Sequence, residues 1–304
     1  MNIIETNQLS RRFGRTEAVH DLTFSVPEGS VTALLGPNGA GKTTTIKLLM
    51  NLLAPSGGEA RVLGVDSHRL GEREFAQIGY VSENQKLPVW MTVRQLLDYC
   101  RPFYPTWDQK LETDLLSRFD LPAEATLGQL SRGMRMKASL LSSLAYRPRL
   151  LVLDEPFSGL DALVREDVMR GLLEAAELGN WTALIASHDL EEVERLADNI
   201  AFLEDARLRL YETKDGLLRR FRRVEVVGRS EQEIGSAAIT DWLDWQAESN
   251  RVSFVDSNYR DAETEQLWRK RFPGAEVQAR PMTLREIFIT QTRVNNQPTK
   301  GVVR

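Results

Sequence analysis

The sequence predicts an α/β protein whose core is a mainly parallel sheet with helices on both faces. VTALL at 31–35 and TALIAS at 182–187 are short apolar segments without alternation, a pattern typical of strands covered on both sides. Helical patterns lie between such strands, and strands that alternate with helices favour a parallel sheet. A glycine-rich stretch, GPNGAGKTTT at 36–45, joins the first of these strands to a helix.

The remaining elements of the first domain follow in chain order. Residues 2–30 are predicted to form two short strands around a turn, and the helix after the glycine-rich stretch is expected to run over about 42–54. Further strands are predicted at 59–65 (as a pair), 78–82, 149–156, 182–187 and 199–212 (as a hairpin), and helices at 162–178 and 189–197. Residues 84–145 are mostly helical in pattern and predict a subdomain inserted into this fold.

A second, small α/β domain is predicted from residue 219 to 304, which leaves 1–218 as the first domain. Its elements are expected to be strands at 224–228, 251–255 and 275–279 and helices at 230–243, 260–272 and 284–291. The tail, 293–304, is predicted to be frayed.

Composition narrows the class of protein. Of the 304 residues, 27% are charged, and the net charge is −4. The chain has one cysteine, Cys100. A disulfide framework is therefore excluded, and no nucleic-acid partner is expected. The N-terminus lacks the apolar segment of a signal peptide, and no apolar run approaches the roughly 18 residues that cross a bilayer. Any membrane role is expected to depend on a partner.

The glycine-rich stretch matches the phosphate-loop pattern GxxxxGK[ST] in the context that this pattern requires, between a buried strand and a helix. Backbone N–H groups and the helix N-terminus would cradle phosphate oxygens, Lys42 would reach the β- and γ-phosphates, and Thr43 would bind Mg²⁺. The predicted nucleotide-binding residues here are Gly36, Pro37, Asn38, Gly39, Ala40, Gly41, Lys42, Thr43 and Thr44.

A second acidic site is predicted where LLVLDEP ends a buried strand. Asp154 is expected to hold Mg²⁺ through water, and Glu155 to orient or deprotonate the attacking water. Together with the phosphate loop, these two carboxylates indicate a nucleotide hydrolase.

Three further motifs discriminate among hydrolase families. LSRGMRMKASLLSSLA at 130–145 resembles the LSGGQ signature of the ATP-binding cassette (ABC) family, SGLD at 158–161 resembles its D-loop, and His188 in SHDLEEVE matches its switch histidine. This ordered set covers residues 1 to about 215. The resemblance implies a P-loop NTPase cassette with an antiparallel N-terminal β subdomain and an inserted helical subdomain.

The resemblance also implies roles for the matched residues. Ser131 and Gly133 would face the γ-phosphate held by a second subunit, in a homodimer that sandwiches two ATP molecules. Ser158 and Asp161 would lie at that dimer seam, and His188 would contact the γ-phosphate. Phe13 matches the aromatic residue that stacks on adenine; the alternative is a core phenylalanine.

Two positions depart from the family pattern. Glu83 stands where the family usually has a glutamine that ligates Mg²⁺ and touches the attacking water, unless Gln85 is the matching residue. The signature has Arg132 and Met134 in place of glycine and glutamine. The carboxylate of Glu83 is still expected to ligate metal.

The process that ATP hydrolysis drives is inferred from resemblance. A single cassette with a short C-terminal domain resembles the ATPase subunits of bacterial exporters, which pair with a separate membrane permease and lie at the cytoplasmic face of the membrane. Trp90 and Met91 are expected to contact that permease. The alternatives are a soluble ABC ATPase that acts on ribosomes or DNA and a regulator that binds ATP without hydrolysing it.

Overall fold

The computed structural model describes residues 1–83, 85–177, 182–228, 242–248 and 251–296, without the side chains of 175–177, 192 and 294–296. The chain forms two compact units, Met1–Tyr211 and Glu212–Arg304. This division falls before the predicted 218/219 boundary, and the domain assignment itself stays a prediction. None of the described helices combines the length and apolar character that crossing a bilayer requires.

A six-stranded sheet and a second, antiparallel sheet organise the first unit. The six-stranded sheet has the order β11-β10-β4-β9-β8-β7, with parallel pairing from β10 to β7, and the other sheet has the order β2-β1-β5-β6 with β3 paired to β1. The strands are β1 (Asn2–Phe13), β2 (Thr16–Leu22), β3 (Ser25–Pro27), β4 (Val31–Leu35), β5 (Gly57–Val62), β6 (Val65–Asp66), β7 (Ile78–Ser82), β8 (Leu150–Asp154), β9 (Thr182–Ser187), β10 (Asn199–Glu204) and β11 (Arg207–Thr213). The predicted α/β class is confirmed.

The parallel strands are apolar throughout because each face of the sheet packs into a different core. In β8, Leu151 and Leu153 pack with the helical subdomain, whereas Leu150 and Val152 pack with the antiparallel sheet and the helix after the glycine loop. Each fully buried aliphatic side chain of this kind stabilises the fold by roughly 1.5–3 kcal/mol. This arrangement explains the missing alternation in the sequence.

The helices of the first unit include the predicted helical subdomain. They are α1 (Lys42–Leu49), α2 (Glu72–Phe75), α3 (Val93–Cys100), α4 (Gln109–Arg118), α5 (Arg132–Leu144), α6 (Ala162–Glu177) and α7 (Leu190–Leu196), with short 3-10 helices at Ser67–Arg69 and Arg101–Phe103. Side-chain caps define their starts: Thr92 accepts from the Gln95 N–H before α3, and Asp108 accepts from the Leu111 N–H before α4.

Helix α1 is shorter than the sequence predicts. The expected helix over 42–54 ends at Leu49, because Asn51 takes a left-handed conformation with φ of 55°. The Leu52 N–H then donates back to the Lys47 carbonyl (2.8 Å), which is the six-to-one hydrogen bond of a Schellman motif at a helix C-terminus.

The second unit contains a four-stranded antiparallel sheet in the order β13-β14-β12-β15. Its elements are α8 (Lys214–Arg220), β12 (Arg222–Val227), β13 (Trp242–Glu248), β14 (Arg251–Asp256), α9 (Asp261–Arg271), β15 (Glu276–Pro281) and α10 (Leu284–Asn296). Trp242, Phe254, Trp268 and Phe272 form its core.

One prediction in this unit is wrong where it can be checked. The helix expected over 230–243 lies outside the described residues except for its last two, and these belong to strand β13. A register shift lies between Leu243 and Gln246, with Asp244 at a φ of 49°. This irregularity interrupts the regular pairing of β13 with β14. The tail predicted to fray also falls mostly outside the described residues.

Candidate functional site

The glycine loop follows β4 and passes close to other backbone segments. A Cβ atom on Gly36 would lie 2.2 Å from the Leu203 carbonyl oxygen, and one on Gly41 would lie 2.3 Å from that of Ala18. Gly39 and Gly41 also have positive φ angles, of 84° and 103°. Only glycine satisfies both the close approach and the conformation at position 41, so the loop shape is specified by these residues.

Lys42 begins α1 and folds back across the loop. Its side chain is 5% exposed, and its ammonium donates to the carbonyls of Gly36 (2.7 Å) and Pro37 (3.2 Å). Its Nζ atom also lies 3.2 Å from Glu155 Oε1. Pro37, Asn38 and Gly39 are exposed at the tip of the loop, whereas Ala40 is buried. The loop therefore holds one buried positive charge beside an exposed turn.

Asp154 and Thr43 meet at the end of β8. The Thr43 hydroxyl donates to Asp154 Oδ1 (3.0 Å), and the next residue of α1, Thr44, is half-buried. Asp154 is 3% exposed, and burial raises the pKa of its carboxyl. The charge of Glu155 raises this pKa further, while the Thr43 hydrogen bond opposes the rise. A buried carboxyl whose pKa is raised in this way is stabilised in its ionised form by a cation nearby.

Glu155 is held in a strained backbone conformation. Its φ is 53°, in the left-handed region that non-glycine residues rarely adopt, and its N–H donates to the Ala186 carbonyl (2.9 Å). The carboxylate is mostly buried and lies between two predicted site residues: Oε1 is 3.2 Å from Lys42 Nζ, and Oε2 is 2.7 Å from His188 Nδ1. The structure thus brings Lys42, Glu155 and His188 into one cluster.

His188 occupies the turn between β9 and α7. Asp189 caps that helix by accepting from the Glu191 N–H (3.0 Å), which fixes the turn and leaves the imidazole about half exposed. Arg165 of α6 reaches the same turn, with its Nη1 atom 3.4 Å from Asp189 Oδ2. Sequence reasoning missed Arg165, and no motif marks it.

Glu83 lies next to Asp154 through the backbone. Its N–H donates to the Asp154 carbonyl (3.0 Å) one residue beyond β7, and its carboxylate pairs with the Arg132 guanidinium. The alternative residue, Gln85, is exposed, and its side chain lines a cavity with Tyr104 and Tyr146. The backbone bond supports Glu83 as the residue near the acidic site. Its role as a metal ligand stays a prediction.

The predicted dimer-contact residues lie at the starts of two helices. Ser131 caps α5 by accepting from the Met134 N–H (3.2 Å), and Asp161 caps α6 by accepting from the Val164 N–H (3.0 Å). Gly133 packs against α6 so closely that a Cβ atom would lie 2.0 Å from Val164 Cγ1. Ser158 is half-buried and Asp161 is exposed.

Phe13 ends β1 and is 46% exposed, so it is not a core phenylalanine. The Arg11 guanidinium lies over its ring, with Cζ 4.6 Å from the centroid. Arg11 was not predicted, although two residues that are two apart on a strand share a face. The Arg11 guanidinium covers one face of the ring, and stacking of a base on the other face stays a prediction.

The oxygen donors at the end of β8 fit Mg²⁺. The Thr43 hydroxyl and a buried Asp154 carboxyl oxygen lie 3.0 Å apart, and Mg²⁺ prefers oxygen ligands from one or two protein groups together with substrate phosphates. Because burial raises the pKa of the Asp154 carboxyl, a divalent cation beside it would stabilise the ionised form.

Comparison with known proteins identifies the family of the chain. The family model described as ABC transporter matches residues 19–158, which include the glycine loop and both carboxylates. The ABC transporter ATP-binding protein YtrB of Bacillus subtilis (strain 168) is 32% identical over 203 residues, which cover 67% of this chain and 69% of that protein. The chain belongs to the ABC transporter ATP-binding family. It is an ABC ATPase with a P-loop NTPase cassette, and it binds ATP.

Other relatives of this ABC ATPase carry different functional names. The daunorubicin resistance ATP-binding protein DrrA2 of Streptomyces coeruleorubidus is 34% identical over 238 residues, or 76% of this chain and 74% of that protein. The sulfate/thiosulfate import ATP-binding protein CysA of Salmonella typhi is 32% identical over 225 residues. This match covers 71% of the ABC ATPase but only 62% of that import protein.

A solved ATP-binding subunit of an ABC transporter has the same fold. It is 29% identical, and the match has a TM-score of 0.64 and covers 71% of this ABC ATPase and 92% of that subunit. A bacterial ABC transporter cassette solved as a dimer, at 22% identity and a TM-score of 0.61, shows the likeness of fold alone.

Proposed function

We propose that this chain is the ATP-binding and hydrolysing subunit that powers an ABC exporter through ATP-driven dimerisation. The observation that carries the proposal is the cluster in which the Glu155 carboxylate lies between Lys42 and His188, one residue from the buried Asp154. In this cluster the candidate base, Glu155, is within hydrogen-bond reach of both the proposed phosphate-binding cation, Lys42, and the proposed γ-phosphate sensor, His188.

Nucleotide binding is assigned to the glycine loop and its surroundings. Backbone N–H groups of the loop and the N-terminus of α1 would hold phosphate oxygens, and the Lys42 ammonium would exchange its carbonyl contacts for the β- and γ-phosphates. Thr43 and Asp154 would hold Mg²⁺, with Glu83 beside them, and this cation neutralises phosphate charge when it is bound. The exposed Phe13 ring would stack on adenine.

Hydrolysis is assigned to Glu155 and His188. The Glu155 carboxylate orients a water molecule and accepts its proton as the water oxygen attacks the γ-phosphorus, and the bond from that phosphorus to the bridging oxygen breaks to release ADP. His188, with Nδ1 2.7 Å from Glu155 Oε2, holds the carboxylate and would contact the γ-phosphate. The strained backbone of Glu155 directs its side chain into this cluster.

Dimerisation would complete each site with Ser131 and Gly133 of a second copy. The proposed seam runs along Ser158 and Asp161, and Leu163, in the first turn of α6, is 82% exposed. A large apolar side chain so fully in solvent beside Asp161 supports a contact at this turn.

A membrane permease is the proposed partner, and it would place the chain at the cytoplasmic face of the membrane. Trp90 is 70% exposed, whereas Met91 is half-buried against the subdomain core. A cavity of about 270 Å³ in the same compact unit is lined by Leu52, Phe75 and Tyr104 among others, and not by Trp90 or Met91. Exposed apolar side chains around a cavity suit the insertion of a short amphipathic helix. Export as the direction is supported by the drug-resistance relative, because the match covers 74% of that protein but only 62% of the sulfate/thiosulfate import protein.

The catalytic assignment is tested with Glu155→Gln. We expect this variant to bind ATP, to form a dimer in ATP and to hydrolyse it roughly 10²- to 10⁴-fold more slowly, because the base is lost while the shape is kept. Phosphate release and light scattering measure the two effects. Glu166→Gln, an exposed glutamate of α6, is the control and should be unaffected. Normal hydrolysis by a monomeric Glu155→Gln variant would refute the assignment.

The partner is tested by recovering the Glu155→Gln variant with ATP and Mg²⁺ from detergent-solubilised membranes. A polytopic membrane protein in the eluate is the expected result. Ribosomes or DNA in its place would move this ATPase to the soluble branch of the family. Uptake into everted vesicles that contain the recovered partner then tests export, and efflux from them would contradict it.

A further inference from the structure

Two residues that depart from the family pattern, Glu83 and Arg132, contact each other within one chain. An Arg132 Nη2 atom donates to Glu83 Oε1 in an ion pair that connects the end of β7 to the first turn of α5. The two residues are 49 positions apart. The paired side chains are 48% and 27% exposed. Ion pairs with this exposure contribute little to folding stability. The effect of this contact is therefore to fix the positions of the two side chains.

The same guanidinium occupies the space beside Gly159. A Cβ atom on Gly159 would lie 2.2 Å from Arg132 Nη1 and 2.6 Å from Arg132 Cζ, and Gly159 has a φ of 65°. Arg132 therefore contacts the turn that leads to Asp161 as well as the carboxylate of Glu83. One side chain thus joins three segments: the end of β7, the start of α5 and the turn after β8.

These segments border the nucleotide site. The Glu83 N–H donates to the Asp154 carbonyl (3.0 Å), and the Asp154 carboxyl accepts from Thr43 of α1 (3.0 Å). A carboxylate at position 83 that lost its cation would add a negative charge close to the place proposed for the phosphates. Repulsion between like charges at a partly exposed site changes the affinity for an anion such as ATP by roughly three- to tenfold.

We propose that Arg132 is a positioning residue that neutralises Glu83 and holds it against α5 and the Gly159 turn, so that ATP can bind beside a carboxylate. The inference rests on the nucleotide site of the proposed function. It assigns Arg132 an action through Glu83 of its own chain. The planar guanidinium suits this role because it contacts the carboxylate and lies flat beside the glycine.

A double-mutant cycle tests the inference in the full-length chain. ATP affinity is measured by calorimetry in EDTA and again in Mg²⁺, with thermal melting as the check on folding. We expect Arg132→Gln to weaken ATP binding roughly three- to tenfold, because Glu83 is left unpaired. The same substitution in the Glu83→Gln background should change the affinity little, because no negative charge remains to be neutralised. Arg132→Lys keeps the charge and should retain most of the affinity.

A matched cycle uses Arg94 and Glu124, an exposed ion pair of the same unit with 2.6 Å between Arg94 Nε and Glu124 Oε1. Neither substitution to glutamine there should change ATP affinity. Equal losses from Arg132→Gln in both backgrounds would show direct contact with nucleotide and overturn the inference, as would no loss at all. Lys42→Ala in the same assay distinguishes a failure of the Arg132 inference from a failure of the proposed function. Unchanged ATP affinity in that variant would refute the nucleotide site itself.

Discussion

At the scale of single residues, Glu155 combines a left-handed backbone with a carboxylate that contacts both Lys42 and His188. The motif indicates that a carboxylate follows the buried strand, but it carries no information about the φ angle. The neighbours of Glu155 come from α1 and the end of β9, which are far away in sequence. The residue types were therefore predictable, and their spacing in the cluster depends on the parallel register of three strands.

Lys42 is expected to contribute to ATP binding as a charged donor. Lys42→Ala should weaken ATP binding by roughly 10- to 100-fold, since hydrogen bonds from a buried charge are stronger than neutral ones. Lys47→Ala is the matched control, because this lysine is exposed near the end of the same helix. Equilibrium binding of a fluorescent ATP analogue measures both. Equal affinities for the two variants would contradict the assignment.

Asp154 is expected to reduce folding stability at neutral pH. Burial raises the pKa of its carboxyl above the ordinary 3.8, so the ionised form opposes folding at pH values above the folded-state pKa. Asp154→Asn should therefore raise Tm at pH 7 while it abolishes hydrolysis. The gain in Tm should disappear as the pH falls below the ordinary pKa, where the wild-type carboxyl is protonated in both states.

Asp108 is the matched control for this experiment because its pKa is shifted in the opposite direction. The Leu111 N–H and Arg147 hold the pKa of the Asp108 carboxyl below its usual value. Asp108→Asn should lower Tm at pH 7, and this loss should fade in acid. A lower Tm for Asp154→Asn at pH 7 would show that Lys42 and Thr43 outweigh the cost of burial.

At the scale of the element, the glycine loop shows how much a motif determines. The spacing of its glycines predicted a turn with inward-facing N–H groups, and positive φ angles occur at Gly39 and Gly41. The backbone segments that approach the loop, at Ala18 and Leu203, belong to β2 and β10. The motif alone could not identify them, because that contact depends on how the antiparallel sheet and the six-stranded sheet pack.

Gly41→Ala and Gly39→Ala separate conformation from close approach. Both glycines have positive φ, which costs an alanine roughly 1 kcal/mol, but only position 41 has a carbonyl within 2.3 Å of the new Cβ atom. Gly41→Ala should therefore destabilise the protein by about 2–4 kcal/mol. Urea unfolding measures the difference between the two variants. Equal losses of stability would mean that the loop moves away from Ala18 at little cost.

Strand β13 shows the opposite case, in which an element was misassigned from its local pattern. Trp242 and Leu243 end the helix predicted over 230–243, whereas the structure places them at the start of a strand. The sheet determines this outcome, since Trp242 stacks on Phe254 with 4.1 Å between their centroids. Cross-strand packing of this kind outweighs local propensity.

At the scale of the whole molecule, the site residues belong to the first compact unit. The glycine loop, both carboxylates, His188 and the two signature residues lie within Met1–Tyr211, and so do the two large cores that hold the six-stranded sheet. The second unit has a core of its own around Trp242 and Phe254. The proposed nucleotide site therefore lies within the first unit.

A chain of residues 1–213, cut after the last residue of β11, is expected to fold and to bind ATP with the affinity of the full chain. The reason is that its cores contain the strands and helices that position the loop. Circular dichroism and calorimetry on the truncated and full-length chains make the comparison. An unfolded or inactive truncated chain would show that the first unit needs residues of the second.

The sequence by itself determined the α/β class, the family and the residue types at the proposed nucleotide site, because glycine spacing, buried strands and adjacent carboxylates are local patterns. The tertiary structure alone decided which side chains meet: His188 with Glu155, Arg132 with Glu83, and Arg11 with the exposed Phe13. Such contacts join segments that are distant along the chain, or depend on the exposure of a strand end. Their geometry follows from sheet register and helix packing, which no local pattern encodes.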